Sequence, residues 1–484
     1  MGKGDKTMRL IDKLRMITAL IIIIALLVPT AVFAEENEFS FEQMAEIFEK
    51  LSDYHVSGVS ESELSEAAAD AMLKVLNDPY TEYFTEEEWD AYESSLQQNY
   101  VGIGVQLNED ETGIFIDIVF PGSPAEAAGL KAGDYFTEVN GESMIGIEMS
   151  ELVSKVKGPE DTTVNITVKR GQEMIGFELT RKQIQLPVIT SESFDGSVGY
   201  IQLTSFTDKA GELFVEELEA LQENEDLNGL VVDLRNNPGG YLHAALEIAE
   251  QFIEDGVLMY TRDQDGDTEA IEIEDGNSLS IPVVVLVNGN SASASEVLSG
   301  ALQDYEIATI LGEQTFGKGS VQNLLPLSDG GVLKVTTYEY LTPNQNKVNQ
   351  VGITPDIEVE NGAAQLIRGL YEAGAEQIEI AIEDESWELN GVEFKTVIDV
   401  IEEDKNKYVP SRILSAIIQG KITWNPELKA VEITTEETSA TFPIVSEGLM
   451  NVNGTTYIDL SEFEKQFPDF NWGVNEDIIT LDVD

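Results

Sequence analysis

Three stretches of the 484-residue chain set reactive side chains beside glycine at spacings that chemistry could use. The first is Asp233-Leu234-Arg235-Asn236-Asn237-Pro238-Gly239-Gly240, which follows an apolar run and precedes a helical pattern. Two adjacent glycines leave backbone N–H groups uncovered at a helix N-terminus, where negative charge is stabilised. Gly239 or Gly240 could supply an oxyanion donor there. Read alone, the stretch is more simply a tight strand-to-helix turn. The second is Asn288-Gly289-Asn290-Ser291-Ala292-Ser293-Ala294-Ser295-Glu296. A serine at such a helix start could be a nucleophile. Ser293 and Glu296 also match the S-x-x-E capping box in full. Ser293 stands where a G-x-S-x-G elbow around Ser291 would need its second glycine. The third is Thr315-Phe316-Gly317-Lys318-Gly319-Ser320-Val321-Gln322. A lysine acts as a base only when neutral, a form that burial favours. Gln322, four residues on, shares a face with Lys318 if the segment is a helical turn. A glycine loop with a surface lysine fits the same spacing equally well.

Composition removes other chemistries. Cysteine is absent, so no thiolate nucleophile, disulfide or Cys-ligated metal is available. Histidine occurs only at His55 and His243, which rules out a His-rich metal site. His243 is the one histidine in the segment that holds the three stretches, and it reads as a packing or surface residue. With 28 basic and 90 acidic residues, the net charge of −62 repels phosphate backbones, so no nucleic-acid partner is expected. Residues 35–484 alone carry −65, which points to a saline, alkaline or extracellular setting where ions screen the self-repulsion. Ser154 and Lys157 fit S-x-x-K, but by chance on a helix. Asp263 to Asp267 resembles a calcium loop, yet Thr268 replaces the required glycine, and a hairpin turn is the better reading.

The elements that must position these stretches follow from pattern. Lys3, Lys6, Arg9, Lys13 and Arg15 precede an apolar run, and Val32-Phe33-Ala34 reads as a cleavage site. Residues 1–34 are therefore a signal peptide or membrane anchor, and the rest is exported, either membrane-associated or secreted. Residues 38–96 look helical, with Ser60 and Glu63 as a capping box. Residues 100–171 alternate short strands with glycine turns, and SPAEAAGLKAGDYFTEVNG (123–141) resembles a PDZ domain of the bacterial protease-associated type. Such domains take extended peptide ends by strand addition. The resemblance maps their carboxylate-binding loop onto Val101, Gly102, Ile103, Gly104 and Val105. Residues 198–322 alternate apolar strands with helices, the pattern of a mostly parallel sheet with functional groups at strand C-termini. Residues 362–484 loosely resemble the stalk-like amino-terminal domains of copper amine oxidases. Attachment or assembly is the expectation there, and copper is not, because the segment has no histidine.

GNSASASEVLSGALQDYEIATILGEQTFGKGSVQ (289–322) resembles the carboxy-terminal processing peptidases, serine peptidases with a Ser–Lys dyad. The resemblance extends over about residues 40–360 and includes Val198 to Ile201, the NNPGG run and Val351 to Asp356. It implies Ser293 as nucleophile, Lys318 as general base and Gln322 as the residue that orients the lysine. The implied oxyanion donors are the N–H groups of Gly239 or Gly240 and of Ala294. Asn290 stands where the family often has Gly, and Gln314 where it often has Arg. The implied fold is a multidomain α/β chain. Residues 35–97 form a helical assembly segment, 98–172 the inserted PDZ domain, 173–361 a crotonase/Clp-like protease core, and 362–484 a small α+β accessory domain. The implied partners are proteins or peptides with free C-termini, the membrane through the N-terminal segment, and further copies in a homo-oligomer; no cofactor is called for. The rival reading is a catalytically silent PDZ scaffold at the cell surface.

Overall fold

The structure is a computed structural model that describes residues 39–483 apart from 225, 329, 404, 445–447 and 477. The expected signal or anchor over 1–34 lies outside the described residues. The chain divides into two compact units, Met1–Asp78 and Pro79–Asp484. In the first, α1 (Phe41–Tyr54) and α2 (Glu61–Val75) start at Ser40 and Ser60. Each serine hydroxyl accepts the N–H three residues on, and Gln43 and Glu63 reach back to the serine N–H. Neither helix buries a residue, and Phe41, Tyr54, Val56, Met72 and Val75 stay exposed.

The second unit opens with β1 (Glu82–Phe84) and α3 (Glu86–Leu96). The expectation of helix throughout 38–96 misses β1. That strand pairs with Lys334–Val332, far along the chain, and Glu82 meets the Lys334 ammonium at 2.6 Å. Only three residues long, it shows no period of its own. Next come β2 (Asn99–Gly102), β3 (Val105–Asp110), β4 (Gly113–Val119), α4 (Pro124–Ala128), β5 (Tyr135–Val139), β6 (Glu142–Ser143), α5 (Met149–Val156), β7 (Thr163–Arg170), β8 (Glu173–Thr180) and β9 (Lys182–Gln185). β2 and β9 pair as a two-stranded ribbon at the two ends of this excursion. Between them lies an antiparallel sheet in the order β3–β4–β5–β7–β8, with β3 at its edge. Its core is built from Ile116, Phe136, Leu152, Val164 and Ile166. The Ser154 and Lys157 pair sits on α5 and its C-cap, where the Ser154 hydroxyl donates to Glu151.

From residue 189 the chain lays down β10 (Ile189–Phe194), β11 (Val198–Leu203), α6 (Ala210–Gln222), β12 (Gly229–Asp233), α7 (Leu242–Ala249), β13 (Gly256–Arg262), β14 (Thr268–Ile273), β15 (Val283–Val287), α8 (Ala294–Asp304), β16 (Ala308–Gly312), β17 (Ser320–Pro326), β18 (Val332–Leu341), β19 (Ile357–Glu358) and α9 (Gly362–Glu372). One sheet runs β10–β11–β12–β15–β16–β19, parallel from β11 onward. Its central strands β12 and β15 are buried at every position because both faces are covered. Leu230, Val232, Val283 and Val285 pack with Phe214, Ile248 and Leu298 on one side. Val231, Val284 and Leu286 pack with Leu366, Ile367 and Leu370 on the other. That second cluster continues into Trp387, Leu414, Ile458 and Phe463, so the C-terminal region shares its core with the sheet. The Asp263–Asp267 stretch is the β13–β14 turn, with the Asp263 carboxylate accepting the N–H groups of Asp265 and Asp267. Asp233, Leu286 and Leu311 stand side by side in register, so the loops after β12, β15 and β16 leave from one edge.

Candidate active site

Those three loops carry the three glycine-rich stretches. The loop after β12 is held by Asn237, whose fully buried amide donates to Leu203 O at 2.8 Å and accepts the Gly239 N–H at 2.9 Å. The Asn237 carbonyl accepts the Ala292 N–H at 3.1 Å and the Ser295 hydroxyl at 2.9 Å, which fastens this loop to the next. Gly239 has φ +99°, and a Cβ there would lie 2.8 Å from Ser293 Cβ and 2.9 Å from Ala294 N. Only glycine lets the two loops approach this closely. Gly239's own N–H is spent on Asn237. Gly240 follows at φ +148°, and Ala294 is the first residue of α8, where a backbone N–H has no acceptor within the helix.

Ser293 caps α8 in an unusual conformation. Its φ of 56° and ψ of −115° lie outside the region used by the other Ser and Thr caps, such as Ser60 at −72° and 156°. A non-glycine residue in this region is strained and must be held by its surroundings. Here the Ser293 N–H donates to Glu296 Oε2 at 2.9 Å, and the Ser293 carbonyl accepts the Tyr340 hydroxyl at 3.2 Å. Tyr340 is fully buried, and burial, reinforced by the Glu296 charge, pushes its phenol well above the usual range.

Glu296 is the residue that sequence reasoning undervalued. It matches a capping box, but its carboxylate is completely buried and takes four hydrogen bonds. Oε1 accepts the Thr315 hydroxyl at 2.6 Å and the Gly317 N–H at 2.7 Å. Oε2 accepts the N–H groups of Ser293 and Lys318, each at 2.9 Å. One oxygen thus ties the backbone of the candidate nucleophile to that of the candidate base. Three of its four donors lie 19 to 22 residues further along the chain, so the local capping pattern gives no sign of them.

The Lys318 loop is equally tight. A Cβ on Gly319 would lie 2.1 Å from Asn349 N, and one on Gly317 would lie 3.0 Å from Val351 N. The Lys318 ammonium lies 5.0 Å from the Tyr80 ring centroid, in cation–π range. Gln322 corrects an expectation. Ser320–Pro326 is a strand, not a helical turn, and the Gln322 amide donates to Ser320 and Thr336 hydroxyls at 3.0 and 3.1 Å. The register shift at Val321/Gln322 sets where that side chain points. His243 is far from this chemistry in its contacts: it faces the Asp208 carbonyl and carboxylate on the surface.

In the PDZ-like region, the Ile103 and Gly104 carbonyls accept the N–H groups of Ala125 and Phe120 at 2.9 and 3.0 Å. Gly104 has φ +81°, and a Cβ there would collide with Ser123 Cβ at 2.2 Å. The Val101–Val105 loop is fixed against the start of α4.

Comparison with known proteins agrees with this architecture. The profile of peptidase family S41 matches residues 197–359, a PDZ profile matches 116–170, and the profile described as the activating protease CtpB N-terminal domain matches 29–88. The carboxy-terminal processing protease CtpB of Bacillus subtilis is 34% identical over 68% of this chain and 70% of that protein. The chain belongs to peptidase family S41. A probable CtpA-like serine protease of Staphylococcus aureus is 36% identical over 67% of this chain. The chain spans 66% of the length of that relative and 62% of its counterparts in other Staphylococcus aureus strains. A solved structure titled photosystem II D1 C-terminal processing protease is 27% identical, covering 70% of this chain and 98% of that one, at a TM-score of 0.42. In this S41 chain the matched region contains all three loops. Among the described residues no helix is long and apolar enough to cross a membrane.

Proposed function

We propose that this chain is an exported serine endopeptidase that works by a Ser–Lys dyad. Ser293 Oγ attacks a substrate carbonyl carbon as Lys318 takes its proton. The resulting oxyanion accepts N–H groups of Gly240 and Ala294. Collapse expels the amine, which takes a proton from Lys318, and water then hydrolyses the acyl-enzyme. Gln322, whose amide is bonded to Ser320 and Thr336, is assigned the orienting of the lysine by the family resemblance. The observation that carries the reading is the shared oxygen of Glu296, which fixes Ser293 and Lys318 in one frame while Gly239 presses on Ser293 from the other side. The PDZ region would select substrates by their C-termini. The exposed apolar residues of α1 and α2 support assembly with a second copy through that segment.

The test is cleavage of an unfolded protein by wild type, Ser293→Ala, Lys318→Ala and His243→Ala. The first two variants should lose all cleavage and keep their melting midpoints, and the third should keep most of its activity. No cleavage by wild type would leave only the silent scaffold, and cleavage by Ser293→Ala at the wild-type rate would overturn the dyad.

A further inference from the structure

The candidate base has a neighbour that the Ser–Lys reading does not use. The Lys318 ammonium stands over the Tyr80 ring, 5.0 Å from its centroid, and both side chains are half-buried. The residues after Tyr80 fix where it stands. The hydroxyl of the buried Thr81 accepts the Thr336 N–H at 3.0 Å. β1 then pairs Glu82, Tyr83 and Phe84 with Lys334, Leu333 and Val332. The Lys334 ammonium meets Glu82 at 2.6 Å and lies 5.1 and 4.6 Å from the centroids of the Phe84 and Tyr92 rings. A Cβ on Gly331 would lie 2.8 Å from the Phe84 carbonyl oxygen, so the far end of β1 is pressed in as well. The Thr336 hydroxyl, in turn, accepts the Gln322 amide at 3.1 Å. One residue of β18 thus anchors Gln322 through its hydroxyl and the neighbour of Tyr80 through its N–H. Tyr80 comes to Lys318 on an anchored segment.

We infer that the Tyr80 ring is a positioning group for the base: it holds the Lys318 side chain in place and stabilises the positive charge that arises there during attack. This rests on the reading of Ser293 and Lys318 as the dyad. As Ser293 Oγ bonds to the substrate carbonyl carbon, its proton passes to Lys318 Nζ and the carbonyl electron pair moves onto oxygen. The lysine enters that step as an amine and leaves it as an ammonium. The face of an aromatic ring carries negative potential, so it attracts the ammonium more strongly than the amine. The contact is therefore stronger in the transition state than before it, the condition for raising kcat rather than lowering KM. Lysine is also a base on a flexible four-carbon stem, and a packed ring removes rotamers that would carry Nζ away from Ser293.

The experiment measures kcat and KM of the full chain on dye-labelled casein at alkaline pH, on the plateau where the lysine starts neutral. Tyr80→Leu should lower kcat roughly two- to thirtyfold with KM nearly unchanged. Tyr80→Phe keeps the ring face and should keep most of the rate. Because Tyr80→Leu also alters packing, the electrostatics of the ring are then varied at nearly constant shape, by replacing Tyr80 with phenylalanines that carry one, two or three ring fluorines. Fluorine draws charge from the ring face, so kcat should fall stepwise along the series while the melting midpoint holds. Rates that ignore fluorination, a Tyr80→Leu variant as fast as wild type, or a Tyr80→Phe variant as slow as Tyr80→Leu would each overturn this inference alone. Cleavage by Lys318→Ala at the wild-type rate overturns the dyad and the inference with it.

Discussion

The starts of α2 and α8 carry the same local signature, Ser60-x-x-Glu63 and Ser293-x-x-Glu296, and use it differently. At α2 the cap is local and exposed. Ser60 is extended, its hydroxyl accepts the Glu63 N–H, and the Glu63 carboxylate returns to the Ser60 N–H and hydroxyl. At α8 the serine is left-handed and the glutamate is buried. Half of the Glu296 hydrogen bonds go to residues 315 and 317, and another goes to Lys318. A motif that caps a helix in one place organises a site in the other. The difference lies in what packs against it: nothing buries Glu63, while the loop after β16 closes over Glu296.

The comparison breaks most visibly at the glutamates. Glu296→Gln keeps the shape but turns an NH2 group toward two hydrogen-bond donors. Losing two bonds to a charged acceptor should cost about 3–5 kcal/mol of stability. Displacing Ser293 relative to Lys318 should lower the rate on the order of 100-fold or more. Thermal melts and reaction with a fluorophosphonate would measure both, and a variant as stable and reactive as wild type would show that Glu296 only caps.

A smaller effect is expected at Gly239. An added methyl meets Ser293 Cβ at 2.8 Å in a backbone already at φ +99°. Gly239→Ala should cost about 1–3 kcal/mol and lower the rate roughly tenfold or more. Gly266, at φ +88° on the β13–β14 turn with open space around it, is the control: its alanine variant carries the conformational cost without the loss of rate. Equal rates for the two variants would remove Gly239 from the site.

The smallest effects belong to α2. Ser60→Ala should weaken that helix by about 0.5–2 kcal/mol and leave cleavage unchanged, read as faster amide exchange within residues 61–75. Glu63 is held below its ordinary value of 4.5 by the Ser60 N–H first and the Ser60 hydroxyl second. A carboxyl depressed by folding stabilises above its ordinary value and loses that contribution as pH falls through the lowered one. The α2 amides should therefore exchange faster, relative to their intrinsic rates, at acid pH in wild type but not in Glu63→Gln. A pH-independent ratio in wild type would mean that the carboxylate leaves the cap in solution.

Much of the frame is legible because it is local or periodic. The apolar runs at 230–234 and 283–287 announce strands covered on both faces, and the Ser-Pro-Ala-Glu start of α4 announces its cap and first turn. The glycines at 239, 317 and 319 announce close approach, though not what approaches. What escaped the sequence involves partners remote along the chain. β1 exists because Lys334–Val332 offers it an edge, Gln322 sits on a strand because β18 pairs with its neighbours, and Tyr80 reaches Lys318 from 238 positions earlier in the sequence.

The sequence by itself determined the residue types, the three glycine-flanked loops, the capping signatures and the alternation that buries the sheet. Those depend on steric rules and on burial within a few residues, which any chain with these letters obeys. Only the tertiary structure decided that Ser293 is held left-handed, that Gly239 spends its N–H on Asn237, and that one oxygen of Glu296 spans Ser293 and Lys318. A carboxylate's partners are the donors that packing brings within about 3 Å of it. Where β12, β15 and β16 end side by side, those donors come from segments that the sequence spaces tens of residues apart.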